Sequence, residues 1–257
     1  MNHRVLVLEH LSGDGPAYLG RWLQRHGFSV DVRNSEAGDD FPSDLHGYCA
    51  MAILGGAMSA NDDLPSLRQA EELIREGVHE GVPVIGHCLG GQLMARALGA
   101  QVLLSPVPEV GWHEVQMSGG AEQKKWFGAA ASATVFQWHY DAFELPQGAV
   151  HLAGNTSCPN QAFSLGPHLA MQFHLEIDAN KLDAWLTEPE PSYQHAQQQY
   201  PSVQSVANIR DGTARFLIAQ QALADRIYAQ WMSLSADRVR QLFPLGKSFY
   251  FMNTITF

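Results

Sequence analysis

Short apolar runs alternate along this chain with stretches whose apolar residues recur at helical spacing. Val5–Leu8 is an unbroken Val-Leu-Val-Leu, the pattern of a strand buried on both faces. Ala17–His26 carries Tyr18, Leu19, Trp22 and Leu23 on one helical face, and Gly27 is its stop signal. FSVDV (28–32) alternates as a strand, and YCAMAILGG (48–56) is an apolar run ending in two glycines. Leu67–Gly77 predicts an amphipathic helix rich in good helix formers. VPVIGH (82–87) predicts a further strand, and LGGQLMARALGA (89–100) a further helix closed by Gly99. Strands and helices in alternation imply an α/β fold, a doubly wound, mostly parallel sheet with helices on both faces.

From Val102 to His174 the helical period fades. GWHEVQM, ATVFQWH, AVHLAGN, QAFSLG and HLAMQFH are strand-like runs, which predict additional β-strands beside the sheet. Pro189–Pro201 is polar, bounded by prolines, and predicts a linker. Ala214–Leu234 predicts a long amphipathic helix with Phe216, Ala219, Leu223, Ile227 and Trp231 on or near one face. The expected organisation is a main domain over 1–188 and a C-terminal helical extension over 202–257, packed on or beside it. The tail Gln241–Phe257 carries no readable chemistry.

Composition narrows the function classes. A net charge of −10 without a Lys/Arg block would repel polyanions, so neither nucleic acid nor an anionic membrane surface is the expected partner. No apolar run approaches the ~20 residues that span a bilayer. Three cysteines, Cys49, Cys88 and Cys158, are too sparse for a disulfide framework. MNHRVLVLEH reads as a first strand and not as a signal peptide, so a reducing cytoplasm is the expected compartment.

Cys88 stands between the strand VPVIGH and the helix that follows. In open parallel sheets, ligands bind outside the carboxyl ends of the strands. Gly86-His87-Cys88-Leu89-Gly90 repeats the spacing of the nucleophile elbow G-x-S-x-G, with cysteine as nucleophile. The glycines admit close backbone approach, and a helix start favours the thiolate. Buried cysteines are more often structural, and Cys49 and Cys158 keep that reading. A base and its orienter are offered by His174 and Glu176 in MQFHLEID, which at i and i+2 of a strand share one face. Oxyanion donors are expected from the Leu89 N–H and from the glycines of LGGAMS, Gly55 and Gly56.

LGGAMSANDDLPSL, GVPVIGHCLGGQLMARALGA, EVGWHEV, WHYDAFELPQGA, CPNQAF and MQFHLE, in that order, resemble the class I glutamine amidotransferases. The likeness runs from about Val5 to Asp178, and it is greatest to members similar to the amidotransferase part of GMP synthase. It implies a flavodoxin-like fold, Cys88 as nucleophile, His174 as base and Glu176 as orienter. It implies Gly56 and Leu89 as oxyanion donors, and Gln92, His139 and Asp141 as substrate-binding residues, with Asp141 pairing with the α-amino group. The implied substrate is glutamine or another γ-glutamyl small molecule, with no metal or organic cofactor. No phosphate loop of an ATP pyrophosphatase domain is found, so an ammonia-accepting synthetase is expected on a separate chain.

Three positions depart from the family pattern. His87 precedes the cysteine where an apolar or aromatic residue is usual. Ala57 follows the glycines where proline is common, and Tyr140 replaces the glycine of WHGD. Three other readings compete: a γ-glutamyl peptidase acting on glutathione-like conjugates, a non-catalytic binding or regulatory subunit, and a metal site of His87, Cys88, His139 and His174. The last lacks any short ligand-pair spacing. A wide groove beyond the scissile bond would favour the peptidase, and a closed one an ammonia route.

Overall fold

The structure is a computed structural model that describes residues 3–12, 15–187 and 191–242. The first half alternates as the sequence pattern predicts: β1 (Arg4–Glu9), α1 (Ala17–Arg25), β2 (Ser29–Asn34), β3 (Ala50–Ile53), α2 (Pro65–Glu80), β4 (Val84–His87) and α3 (Leu89–Ala97). Then come β5 (Val102–Met117), α4 (Gly120–Phe127), β6 (Ser132–Phe143), β7 (Val150–Gly154), β8 (Ala162–Leu165) and β9 (His168–Met171). Helices α5 (Ala179–Thr187), α6 (Pro191–Gln199) and α7 (Val206–Leu242) close the described chain.

One sheet runs in the order β2-β1-β3-β4-β9-β8-β7-β5-β6. Pairing from β2 to β9 is parallel, and from β9 to β6 antiparallel. Alternation within β1 shows why both faces need cover. Val5 and Val7 join a core with α1, α4 and α7, whereas Leu6 and Leu8 join another with α2 and α3. A third cluster packs α5, α6 and the start of α7 onto Val110, Trp112 and Phe136 of β5 and β6. Among the described residues no helix is long and apolar enough to cross a membrane.

Two expectations about the C-terminal region need correction. The segment predicted as a linker holds α6, whose Tyr193 and Ala196 are buried in the third cluster. Glutamines disguise it, because the helix rests on only a few apolar contacts. In α7, Ala219 is exposed and the inward stripe instead includes Gln220, Ala224 and Tyr228. The two polar members have partners: Gln220 Oε1 accepts the Phe136 N–H at 2.7 Å, and the Tyr228 hydroxyl meets His87. Most of the tail 241–257 lies outside the described residues.

Candidate active site

β4 ends at His87 and α3 starts at Leu89, so Cys88 alone makes the turn. Its φ of +50° and ψ of −111° are strained for an L-residue, at a cost of order 1–3 kcal/mol. The surroundings hold it there. The Cys88 N–H donates to Met171 O at 2.9 Å, and its carbonyl accepts the Gln92 N–H at 2.9 Å. The glycines are required by close approach: a Cβ on Gly90 would lie 2.2 Å from Ile53 O, and one on Gly86 would lie 2.5 Å from the Gly90 carbonyl carbon. The G-x-C-x-G spacing is therefore the packing of the elbow helix against β3 and β4.

His174 and Glu176 do meet, but not as residues of one strand. β9 stops at Met171, and both lie in the loop from 172 to 178. The loop is pinned by the His174 N–H donating to Phe136 O at 2.9 Å and the Tyr18 N–H donating to Glu176 O at 2.8 Å. His174 Nδ1 lies 2.7 Å from Glu176 Oε1, with both side chains buried. Cys88 Sγ donates to Trp138 O at 3.5 Å, and a Cβ on Gly55 would lie 3.7 Å from Cys88 Cβ and 2.8 Å from His174 Cε1, so the thiol and the ring flank one spot. Burial works against the imidazolium, but the Glu176 carboxylate and then Cys88 outweigh it and push His174 up to about 10. Burial opposes the Glu176 charge as well, yet the His174 imidazolium beside it holds its carboxyl well below the usual range. A protonated imidazole facing a cysteine is the partner a thiolate nucleophile needs.

The glycine pair after β3 closes onto this group. A Cβ on Gly55 would lie 2.8 Å from His174 Cε1, and one on Gly56 would lie 2.7 Å from Leu89 Cδ2. Leu89 opens α3, where first-turn N–H groups lack intrahelical acceptors. Gly56 and Leu89 thus sit side by side beside the cysteine.

Cys88, Gly55, Gly56, Gln92, His139, Asp141 and His174 all line one cavity of about 690 Å³. Asp141 lies on β6 and not in a loop, and its Oδ2 accepts the Ser59 hydroxyl at 2.7 Å. Its carbonyl accepts Gln92 Nε2 at 3.0 Å and faces His139 Nδ1 at 3.1 Å, so the three expected substrate contacts form one cluster. Behind them His139 Nε2 lies 3.2 Å from Glu109 Oε2. Among the described residues, Glu109, His139 and Cys158 are the group whose metal-binding atoms lie within 4.8 Å of one another. Glu109 already accepts the amides of Asn155 and Gln161, each at 2.7 Å. Burial, then the Glu109 carboxylate, pushes the Cys158 thiol up to about 12. Glu109 is thus held by His139, Asn155 and Gln161 together. The four residues of the metal reading are not gathered as ligands.

Several neighbours escaped sequence reasoning. Gln172 points Nε2 at Cys88 Sγ from 3.8 Å, and only its place two residues before His174 hints at it. Trp185 of α5 stands edge-on to His174 at 5.2 Å, and Trp138 is 5.7 Å from Trp185. Tyr228 of α7 reaches His87. Tyr228, which alone of these lies in the C-terminal extension, carries no local signal, because only the fold brings it here.

The sequence pattern of the family described as "Glutamine amidotransferase class-I" matches residues 18–188. The chain belongs to this family. A relative in Salmonella typhimurium, the glutamine amidotransferase-like protein YfeJ, is 27% identical over 214 residues, covering 80% of this chain and 87% of the relative. The GMP synthase [glutamine-hydrolyzing] of Aeropyrum pernix is 31% identical over 170 residues, which cover 58% of this chain but only 33% of that enzyme. Among solved structures, a glutamine amido transferase from Methylobacillus flagellatus superposes with a TM-score of 0.83 at 33% identity, covering 91% of this chain and 96% of that one. A glutamine amidotransferase from Thermotoga maritima gives 0.79 at 25% identity, covering 90% and 98%. The likeness to these two structures therefore reaches past residue 188, where the family pattern ends.

Proposed function

We propose that the chain hydrolyses γ-glutamyl amide bonds through a thioester on Cys88. The observation that carries this reading is the strained Cys88 elbow opening on a cavity shared with His174, whose ring Glu176 orients at 2.7 Å. Cys88 attacks the side-chain carbonyl as a thiolate, and its proton resides on His174. The N–H groups of Gly56 and Leu89 receive the oxyanion. His174 gives its proton to the leaving nitrogen, and the C–N bond breaks to leave the thioester. Water then adds, losing a proton to His174, and the C–S bond breaks to release the γ-carboxyl group, which ionises, and to restore the Cys88 thiolate beside the His174 imidazolium. Asp141 meets the α-ammonium of the glutamyl group, in exchange for part of its bond to Ser59.

With glutamine the products are glutamate and ammonia, and an ammonia-accepting synthetase on another chain belongs with that substrate. The cavity favours a second leaving-group class. Its volume falls within the ~300–1,000 Å³ that holds drug-sized ligands, more than a glutamine side chain needs. Trp138 and Trp185 wall it beside His174, where the leaving nitrogen departs. A γ-glutamyl peptide or arylamide fills that wall, whereas ammonia touches none of it.

Purified protein incubated with glutamine, a γ-glutamyl dipeptide and γ-glutamyl-p-nitroanilide tests the reading. Glutamate release from at least one, abolished in Cys88→Ala, is expected. No release from any of them, or release that survives Cys88→Ala, would overturn it.

A further inference from the structure

The family pattern leaves His87 and Tyr228 unexplained, yet they form a chain to the catalytic carboxylate. His87 is wholly buried at the end of β4, one residue before the nucleophile. Its Nε2 lies 3.2 Å from the Tyr228 hydroxyl and 4.0 Å from Glu176 Oε2. Tyr228 hangs from α7, fully buried, its ring edge-on to Trp22 and His87. Glu176 divides its oxygens unequally. Oε1 holds His174, whereas Oε2 is buried without a hydrogen-bond partner among the described residues. Buried carboxylate oxygens are rarely left so, and a donor-capable ring only 4.0 Å away makes the omission pointed.

We propose that Tyr228 and His87 are positioning residues that keep the second oxygen of Glu176 free of a donor. In this arrangement the Tyr228 O–H donates to His87 Nε2, which puts the ring proton on Nδ1, a buried nitrogen with no hydrogen-bond partner among the described residues, and leaves Nε2 none to give Glu176. The carboxylate charge then stays concentrated on the His174 imidazolium. Without the hydroxyl, His87 shifts its proton from Nδ1 to Nε2 and swings toward Oε2. The new hydrogen bond takes up carboxylate charge, and the imidazolium is held less tightly. On this account α7 is part of the catalytic support, and the histidine before the cysteine is matched to the tyrosine of the extension. The charged and titratable groups around His87 are Glu176 and His174 from the loop after β9, Lys181 from α5 and Tyr228 from α7. Tyr228 in turn senses Tyr18 of α1 and Asp225.

This inference rests on the Cys88–His174–Glu176 reading. Two readouts test it: the alkaline limb of kcat/KM, and the alkaline transition in iodoacetamide alkylation of Cys88, which needs no substrate. The proteins are wild type, Tyr228→Phe, His87→Leu and the double variant, each checked for native folding by near-UV circular dichroism. Tyr228→Phe should move both readouts down by about one pH unit, a tenfold change in an ionisation constant. kcat should fall while KM stays put. His87→Leu has no proton to misdirect, so it should keep the wild-type limb, and Tyr228→Phe should shift nothing in that background. A merely structural tyrosine would shift both backgrounds equally or neither, and either result overturns the proposal. If His87→Leu does not fold, the low-field proton resonance of the His174–Glu176 hydrogen bond decides: it should move in Tyr228→Phe, and an unmoved signal overturns the proposal. A wild type with neither turnover nor an alkaline transition overturns the triad reading and this inference with it. A wild type with both, unmoved by Tyr228→Phe, overturns this inference alone.

Discussion

Glu176→Gln removes one charge and keeps the side-chain shape, which isolates what the carboxylate does. His174 is pushed up to about 10 against an ordinary 6.5, so at ~1.4 kcal/mol per pH unit its imidazolium is stabilised by roughly 5 kcal/mol. His87 shows the other limit. It is equally buried and 4.0 Å from the same carboxylate without a hydrogen bond, and burial takes it down to about 4 despite Glu176. Losing the charge should therefore lower His174 and loosen its hold on the proton that the proposed mechanism places opposite Cys88. An amide can also present its NH₂ and reverse the ring tautomer. Converted to rate, the loss is on the order of 10³–10⁴ in kcat/KM, the scale of the Asp→Asn change in a serine protease triad. The assay is release of glutamate or p-nitroaniline across neutral and alkaline pH, with circular dichroism to confirm folding. The alkaline transition of Cys88 alkylation should fall in parallel. A folded Glu176→Gln enzyme within tenfold of wild type, with its alkylation profile unchanged, would refute the reasoning.

Gly90→Ala would drive a Cβ to 2.2 Å from Ile53 O, a backbone atom, and should destabilise by at least ~1–3 kcal/mol as an overpacked site, read by urea unfolding. Burial lowers His10, His87 and His168 to about 4, so the unfolded chain binds more protons between there and 6.5. Their contribution to stability therefore falls as pH drops through that window, by on the order of 2 kcal/mol per ring at about pH 5. Thermal melts at neutral and mildly acid pH should show it, and His10→Leu, which deletes a buried ring with no hydrogen-bond partner, should flatten the dependence. Trp185→Ala should lower kcat/KM for γ-glutamyl-p-nitroanilide more than for glutamine, whereas Asp141→Asn should weaken both alike. The opposite pattern would place the substrate backwards in the cavity.

Legibility in the sequence followed the range of the interactions. Val5–Leu8 and VPVIGH announce buried strands because their apolar runs are local, and the elbow is visible because its strand–turn–helix spacing is local, although Gly90 answers to Ile53 on β3. The i, i+2 spacing of His174 and Glu176 suggests a shared strand, yet β9 ends three residues before the histidine. Their pairing survives because backbone bonds to Phe136 and Tyr18 shape the loop. The C-terminal region was the least legible. The face of α7 was misassigned at Ala219 because its inward stripe uses Gln220 and Tyr228, polar residues whose partners lie 84 and 141 positions away. α6 was mistaken for a linker because its burial depends on a cluster assembled from β5, β6 and α5.

The central claim is a covalent one, and trapping the intermediate tests it most directly. Wild-type protein mixed with γ-glutamyl-p-nitroanilide and quenched in acid during turnover should yield a peptide carrying a γ-glutamyl group on Cys88. Neutral hydroxylamine should remove it, as it cleaves thioesters. The same group on Cys158 or Cys49, or turnover with no acylated Cys88 at any time, would contradict the account.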